Sequence, residues 1–142
     1  MRRIVLTFLL ALGGCDGPAP RIEVRDAWTR ATSAASSSAA VYMTIANRGG
    51  EDRLTSATTP AARAATLHTM TMDGSIMRMR PIAAGIEVAA NGTLMLAPNG
   101  THVMLTGLKR PLVEGQRIAA RLRFARSGDR DVAITVVGAG AR

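Results

Sequence analysis

The stretch Arg117-Ile-Ala-Ala-Arg-Leu-Arg-Phe124 has an apolar residue at every second position, beginning at Ile118. Three of the four positions between the apolar residues are arginine, at 117, 121 and 123. Side chains two residues apart on a β-strand point to the same side of the sheet. The pattern therefore predicts a strand with one buried face and one arginine face in water.

Similar short runs rich in strand-forming residues occur along the rest of the chain. They lie at residues 22–29, 39–45, 54–57, 65–72, 76–82, 93–96, 102–105 and 131–137. Turn-forming pairs such as Asp73-Gly74, Asn91-Gly92 and Asn99-Gly100 separate several of them. Several short strands at this spacing predict an all-β fold, either a sandwich or a barrel.

The first residues have the pattern of an export signal. A basic start, Met1-Arg-Arg3, precedes an apolar run at 4–12 that is too short for an ordinary membrane span. The run ends at Leu12-Gly-Gly-Cys15, which resembles a bacterial lipobox, where a cysteine is lipidated after cleavage. We therefore predict a lipoprotein signal peptide at 1–14 and lipidation of Cys15. The alternative is an ordinary signal peptide cleaved nearby, with Cys15 removed or left in a flexible tail.

The remaining chain has the size of a single domain. Removing the first 14 of the 142 residues leaves 128, which is enough to build a core. We expect a tether at 15–21, a β domain at 22–138 and a short tail at 139–142. Export and lipidation together predict a location in the periplasm, held at a membrane by the lipid.

The chain is basic, with a formal net charge of +8 at pH 7, and its basic residues are almost all arginine. Binding of single-stranded nucleic acid uses aromatic side chains on which bases stack. After the predicted signal segment the aromatic residues are Trp28, Tyr42 and Phe124 alone. Nucleic acid is therefore not expected as a partner, although the arginine face could contact an acidic protein or anionic lipid.

Both histidines stand among methionines. The segments His68-Thr-Met70-Thr-Met72 and His102-Val-Met104 each place a methionine two residues after the histidine, and Met77-Arg-Met79 lies between them. On strands, each segment would present nitrogen or sulfur on one face. Imidazole and thioether suit the soft ion Cu(I), whereas zinc sites use thiolate and imidazole and calcium sites use oxygen. The pattern predicts a protein that handles Cu(I).

Methionine also fills irregular gaps in hydrophobic cores. We assign that role to Met43 and Met95, which lie in apolar runs remote from a histidine. Either role, core packing or metal binding, is possible for Met70, Met72 and Met77. Strand geometry alone hardly distinguishes Met77 from Met79 as a metal ligand, because both lie on one face of the same strand. Trp28 is predicted to be a core aromatic residue, with packing near the metal site as the alternative.

Most of the predicted domain resembles the periplasmic copper chaperones named PCu(A)C. The likeness includes Asp26-Ala-Trp28-Thr-Arg30, Ala40-Val-Tyr-Met-Thr-Ile45, Gly74-Ser-Ile-Met-Arg-Met79 and His102-Val-Met104-Leu-Thr-Gly-Leu-Lys109. The family motif is a histidine, ten residues, a methionine, twenty-one residues and then His-X-Met. His68 and Met79 have ten residues between them, whereas Met79 and His102 have twenty-two, with the surplus near residues 83–92.

The resemblance implies that His68, Met79, His102 and Met104 bind one Cu(I). It also implies a cupredoxin-like Greek-key β-barrel. The implied role is delivery of copper to the copper centre of cytochrome c oxidase, with subunit II of that oxidase or a Sco-type protein as the recipient.

Two other classes of protein are alternatives to a chaperone. A small copper-dependent redox enzyme would need a positioned acid, base or nucleophile, and the sequence has neither an HExxH motif nor a Ser-His-Asp order. We therefore do not expect an enzyme. A structural or adaptor lipoprotein could carry the methionine cluster incidentally, and it would bind no copper tightly.

Overall fold

The computed structural model describes residues 17–141, and this part of the chain forms ten β-strands and no helix. The strands are β1 (Ile22–Arg30), β2 (Ser38–Asn47), β3 (Asp52–Thr58), β4 (Ala62–Asp73), β5 (Ile76–Pro81), β6 (Ile86–Val88), β7 (Thr93–Leu96), β8 (His102–Leu108), β9 (Arg117–Phe124) and β10 (Gly128–Val137). All nine predicted runs correspond to strands. β6 was not predicted, because its three residues are too few to show a period.

Seven of the strands close into a barrel, in the order β4, β8, β2, β1, β10, β9, β3 and back to β4. The closing contact is a single pair, Ala57 opposite Ala65. β1 and β10 run parallel, and the other pairs are antiparallel. β5, β6 and β7 are added to the edges of β4, β3 and β2. The predicted all-β, cupredoxin-like barrel is confirmed.

The stretch Arg117–Phe124 forms β9 with the predicted pattern of burial. In β9, Ile118, Ala120, Leu122 and Phe124 are buried in the core. The arginines on the opposite face are exposed, and two of them pair with carboxylates of β10, Arg121 with Asp131 at 2.7 Å and Arg123 with Asp129 at 2.9 Å. Because these pairs are exposed, burial of the apolar face contributes far more to stability than they do.

Asp52 is a buried carboxylate at the start of β3. It accepts hydrogen bonds from the backbone N–H groups of Arg53 (2.8 Å), Arg126 (2.8 Å) and Ser127 (3.0 Å), and from the Ser127 hydroxyl (2.6 Å). Burial alone raises the pKa of Asp52, but these four hydrogen bonds favour the charged form and leave the pKa below its usual value. Asp52 thus ties β3 to the turn between β9 and β10.

Residues 17–21, part of the segment expected to be a tether, lie against the turn that follows β2. The amide of the buried Asn47 accepts from the backbone N–H of Arg21 at 3.1 Å and donates to the carbonyl of Gly50 at 2.7 Å. The N–H of Gly50 in turn donates to the carbonyl of Ala19 at 3.2 Å. The predicted signal peptide at 1–14 and Cys15 lie outside the described residues.

Candidate metal centre

The pairing of β4 with β8 brings the two histidines together. His68 lies directly opposite His102, and the two imidazole rings have centroids 6.0 Å apart with planes inclined by 15°. Neighbouring residues fix this register, because Leu67 and Val103, also opposite each other, are both buried in the core. A slip of one residue would turn every side chain of the strand to the other face.

The same register places both predicted methionine ligands on the face that carries the histidines. Met104 lies opposite Thr66, two residues from His68 on β4, and Met79 lies opposite Met70, two residues from His68 in the other direction. Residues two apart on a strand share a face, as do residues directly opposite one another. His68, Met79, His102 and Met104 therefore all project from one outer face of the sheet β5-β4-β8, with the histidine pair between the two sulfurs.

His102 has one ring nitrogen fixed and the other without a partner. Its Nδ1 lies 3.0 Å from the carbonyl oxygen of Gly100, which can only accept, so Nδ1 carries the proton. In a neutral imidazole this leaves a lone pair on Nε2. The residue is only 3% exposed, and Nε2 is buried with no hydrogen-bond partner. An unsatisfied buried acceptor costs about 1–3 kcal/mol, so a bound group at this atom would be stabilising.

His68 is less buried than His102, and its Nδ1 lies 3.2 Å from the hydroxyl of Thr66. Behind His102 stands Tyr42 of β2, whose ring meets the imidazole edge-on with centroids 6.3 Å apart. Trp28 packs on Tyr42 with ring centroids 4.7 Å apart, and the guanidinium carbon of Arg30 lies 5.5 Å from the centroid of the Trp28 ring. Trp28 is buried but is not part of the main core cluster. It packs on Tyr42, which contacts His102, so the structure matches the alternative prediction of packing near the candidate site.

On the face of β5, β4 and β8 that carries the histidines, none of the strand residues is Asp or Glu. Among residues 17–141 there is no group of three or more His, Cys, Asp or Glu side chains placed to hold a metal ion. The soft donors on the same face as the two histidines are thioethers, which are neutral. The donor set therefore fits a soft, low-charge ion.

The methionines differ sharply in burial. Met43 is 3% exposed in the core, which confirms the prediction for that residue. The prediction for Met95 was wrong, since it is 66% exposed on β7, a short strand at the edge of β2.

Met77 lies opposite Met72, farther from the histidines than Met79 and on the same face. The register of β4 and β5 is regular from Pro81 to Ile76, so the surplus residue before His102 falls outside this hairpin.

Residues 22–136 match the model of a protein family described as "Putative lipoprotein LpqE-like". The chain belongs to the LpqE-like family. A relative in Leifsonia xyli subsp. xyli (strain CTCB07), described as "Putative lipoprotein Lxx21020", is 34% identical over 144 residues, covering 93% of this chain and 86% of the relative. The match to this relative thus extends well beyond the histidine and methionine segments.

Solved structures with the same fold include PCuAC domains, which confirms the family resemblance seen in the sequence. The copper-bound PCuAC domain from PmoF2 has a TM-score of 0.68 and 21% identity, covering 82% of this LpqE-like chain and 92% of that domain. The solution structure of CuI-DR1885 from Deinococcus radiodurans has a TM-score of 0.64 and 31% identity, covering 88% of this chain and 83% of that one.

Two features of the site were not predicted from the sequence. Tyr42 was noted as one of few aromatic residues and as part of the family likeness, but it was given no role, and its contact with His102 depends on the pairing of β2 with β8. The carbonyl of Gly100, which fixes the tautomer of His102, is a backbone group with no sequence signal beyond the turn at Asn99-Gly100. In the described part of the LpqE-like chain, no helix has the length and apolar character needed to cross a membrane.

Proposed function

We propose that this protein is a copper chaperone that binds one Cu(I) tightly through His68, Met79, His102 and Met104. The observation that carries the proposal is the buried Nε2 of His102, which has no hydrogen-bond partner and belongs to a ring 6.0 Å from that of His68. A metal ion held by both imidazoles would satisfy this atom. Thioethers on either side of the pair would complete a four-ligand, cysteine-free site.

The chemistry of the donors favours Cu(I) over other ions. Two neutral imidazoles and two neutral thioethers suit a closed-shell monovalent ion that has no demand for planar coordination. Cu(II) prefers harder ligands. The copper-bound state of the PmoF2 domain and the CuI state of DR1885 support the proposal by similarity.

The exposure of the ligands supports transfer. His102 is buried, whereas Met79 is 44% exposed and Met104 is half-buried, so one side of the bound ion would face solvent. A recipient with thiolates could displace the weak thioethers one at a time, while the histidines keep the ion from free solution. We propose the copper centre of cytochrome c oxidase subunit II, or a Sco-type protein, as that recipient, and no enzymatic turnover.

We further propose that the protein is a membrane-anchored lipoprotein of the periplasm. The proposed arrangement is a signal peptide at 1–14, lipid on Cys15, a copper-binding domain at 22–138 and a short tail at 139–142. The family description and the description of the Leifsonia relative, both of which name a lipoprotein, support the anchor. The lipid would hold the copper site near a membrane-bound respiratory oxidase.

The test is anaerobic titration of the purified protein with Cu(I) against a competing chelator, followed by transfer to the purified copper domain of oxidase subunit II. We expect one tight Cu(I) equivalent, much weaker Cu(II) binding, and movement of copper to the acceptor without oxygen consumption. No tight equivalent would favour an adaptor lipoprotein, and sustained turnover with oxygen would favour a redox enzyme. Tight binding without transfer would contradict the proposed recipient and leave the binding site intact.

A further inference from the structure

The hairpin of β4 and β5 exposes an unusual amount of apolar surface. Among the described residues, six large hydrophobic side chains are exposed, and four of them lie on this hairpin: Met72 (61%), Ile76 (56%), Met77 (46%) and Met79 (44%). Core packing therefore does not account for these three methionines. Isolated exposed apolar residues are ordinary, but a group on one hairpin marks a site of interaction.

The methionines of this hairpin form two cross-strand pairs. Met70 lies opposite Met79, and Met72 lies opposite Met77, on the face that carries His68. We name these four residues the methionine ladder. Cβ atoms of directly opposite residues are about 4.5–5.5 Å apart, and diagonal neighbours are about 7–8 Å apart. Because methionine has three rotatable side-chain bonds, sulfurs at these spacings can converge on one ion.

The opposite face of the hairpin has a different character. It carries Thr71 and Asp73 on β4 and Arg78 and Arg80 on β5, together with the exposed Ile76 opposite Asp73. Arg78 pairs with Asp73 at 3.0 Å, and Arg80 donates to the Thr71 hydroxyl at 3.3 Å. The charged groups are thus held on one side and the sulfurs on the other. A soft cation at the ladder would not be forced against the guanidinium groups.

We propose that Met70, Met72 and Met77 form a second, weaker Cu(I) site beside the one described above. We call the site proposed above, with His68, Met79, His102 and Met104, the inner site. The inference rests on the proposed function, because it takes Met79 as a ligand of that inner site. Three thioethers supply a soft, neutral donor set that selects Cu(I). The site is weaker than the inner one because it is exposed and has no imidazole. It extends from the turn at Asp73-Gly74 toward His68, so copper can enter at the hairpin tip and move inward by exchange of sulfur ligands.

The test uses the full chain with methionine methyl groups labelled with carbon-13, titrated anaerobically with Cu(I) and followed by NMR. The first equivalent is expected to shift the methyl signals of Met79 and Met104. The second is expected to shift those of Met70, Met72 and Met77, and to be removed by a weak chelator that leaves the first in place. Absence of any second set of shifts in a protein that binds the first equivalent would overturn the outer site.

The decisive variant combines M70L, M72L and M77L, which keeps volume and apolarity while removing the sulfurs. We expect loss of the second equivalent and retention of the first. The matched control is M95L, because Met95 is as exposed as Met72 and lies on β7, outside the hairpin. A second equivalent that survives in the triple variant would overturn the outer site. In the wild-type protein, Cu(I) that shifts the methyl signals of Met70, Met72 and Met77 but never those of Met79 and Met104 would overturn the inner site instead and support the outer one.

Discussion

His68 and His102 face each other across β4 and β8, with ring centroids 6.0 Å apart and planes within 15° of parallel. They are far apart in sequence, and one strand register joins them. Leu67 and Leu105, buried on the inner side of the same strands, hold that register through core packing. The hydrophobic core therefore fixes the positions of the two histidines of the proposed metal site, which lies on the outside of the barrel.

The first prediction concerns the choice between Met79 and Met77. Met79→Leu should weaken tight Cu(I) binding by more than tenfold, since loss of even outer-shell partners typically costs about 10–100-fold. Stability should change by less than about 1.5 kcal/mol, because the swap conserves volume. Competition titration measures the affinity and thermal unfolding the stability. Met77→Leu should retain the tight equivalent, and the opposite pattern would mean that the family motif is misaligned in this chain.

The second prediction concerns Tyr42, which packs against His102 without being a ligand. Tyr42→Leu should keep one tight equivalent but lower its affinity by about tenfold, because the imidazole loses the ring that orients it. Phe124→Leu is the control, since Phe124 is a buried aromatic of the core on β9. Both variants should lose stability, and Tyr42→Leu alone should lose affinity. Equal affinities in the two variants would remove the role assigned to Tyr42.

Alternation and turn chemistry were sufficient to predict most of the fold. Thr93–Leu96 was predicted with its observed bounds, and Arg117–Phe124 with its buried face. Strand β6 could not be predicted because three residues between Gly85 and Ala89 show no period. Met95 was assigned to the core from its apolar neighbours, yet β7 is short and lies at an edge, which leaves that side chain in solvent.

The residues of the candidate site could be picked out from the sequence, whereas their arrangement in space could not. Strand alternation alone indicated that His102 and Met104 share a face. Which strands are neighbours depends on long-range pairing, so the contact of His68 with His102 and the distance from Met79 to the histidines were not visible in the sequence. The burial of His102 likewise depends on Tyr42 from a distant strand.

The third prediction concerns Asp52 and acid stability. Its pKa in the folded protein is below the usual value, so its stabilising effect is fully present above the unfolded pKa of about 4 and is lost as the pH falls through the folded pKa. Asp52→Asn should therefore lower the free energy of unfolding by about 2 kcal/mol at neutral pH. Chemical denaturation across pH 2–7 should show that the difference from wild type shrinks in acid.

The control for that measurement is Asp131→Asn. Asp131 also has a lowered pKa, because of its hydrogen bond to Arg121, but the pair is exposed. Exposed ion pairs contribute little, so this variant should stay close to wild type at every pH. If Asp131→Asn lowered the free energy of unfolding as much as Asp52→Asn does, burial of the carboxylate would not be what decides its contribution to stability.

The fourth prediction concerns the anchor. Lipidation of Cys15 would add several acyl chains, each contributing about 0.8 kcal/mol per buried methylene to membrane binding. Wild type should fractionate with membranes and incorporate labelled fatty acid, and Cys15→Ser should do neither. A wild-type protein that is soluble and unlabelled would mean that Cys15 belongs to an ordinary signal segment, with no consequence for the proposed metal site.

The most direct test of the central claim is X-ray absorption at the copper edge of protein loaded with one equivalent of Cu(I). Ligation by His68, His102, Met79 and Met104 predicts a mixed shell of two nitrogens and two sulfurs around a reduced ion. A shell of nitrogen and oxygen alone would remove the methionine ligands. A shell of sulfur alone would remove the histidine pair, and either result would contradict the account.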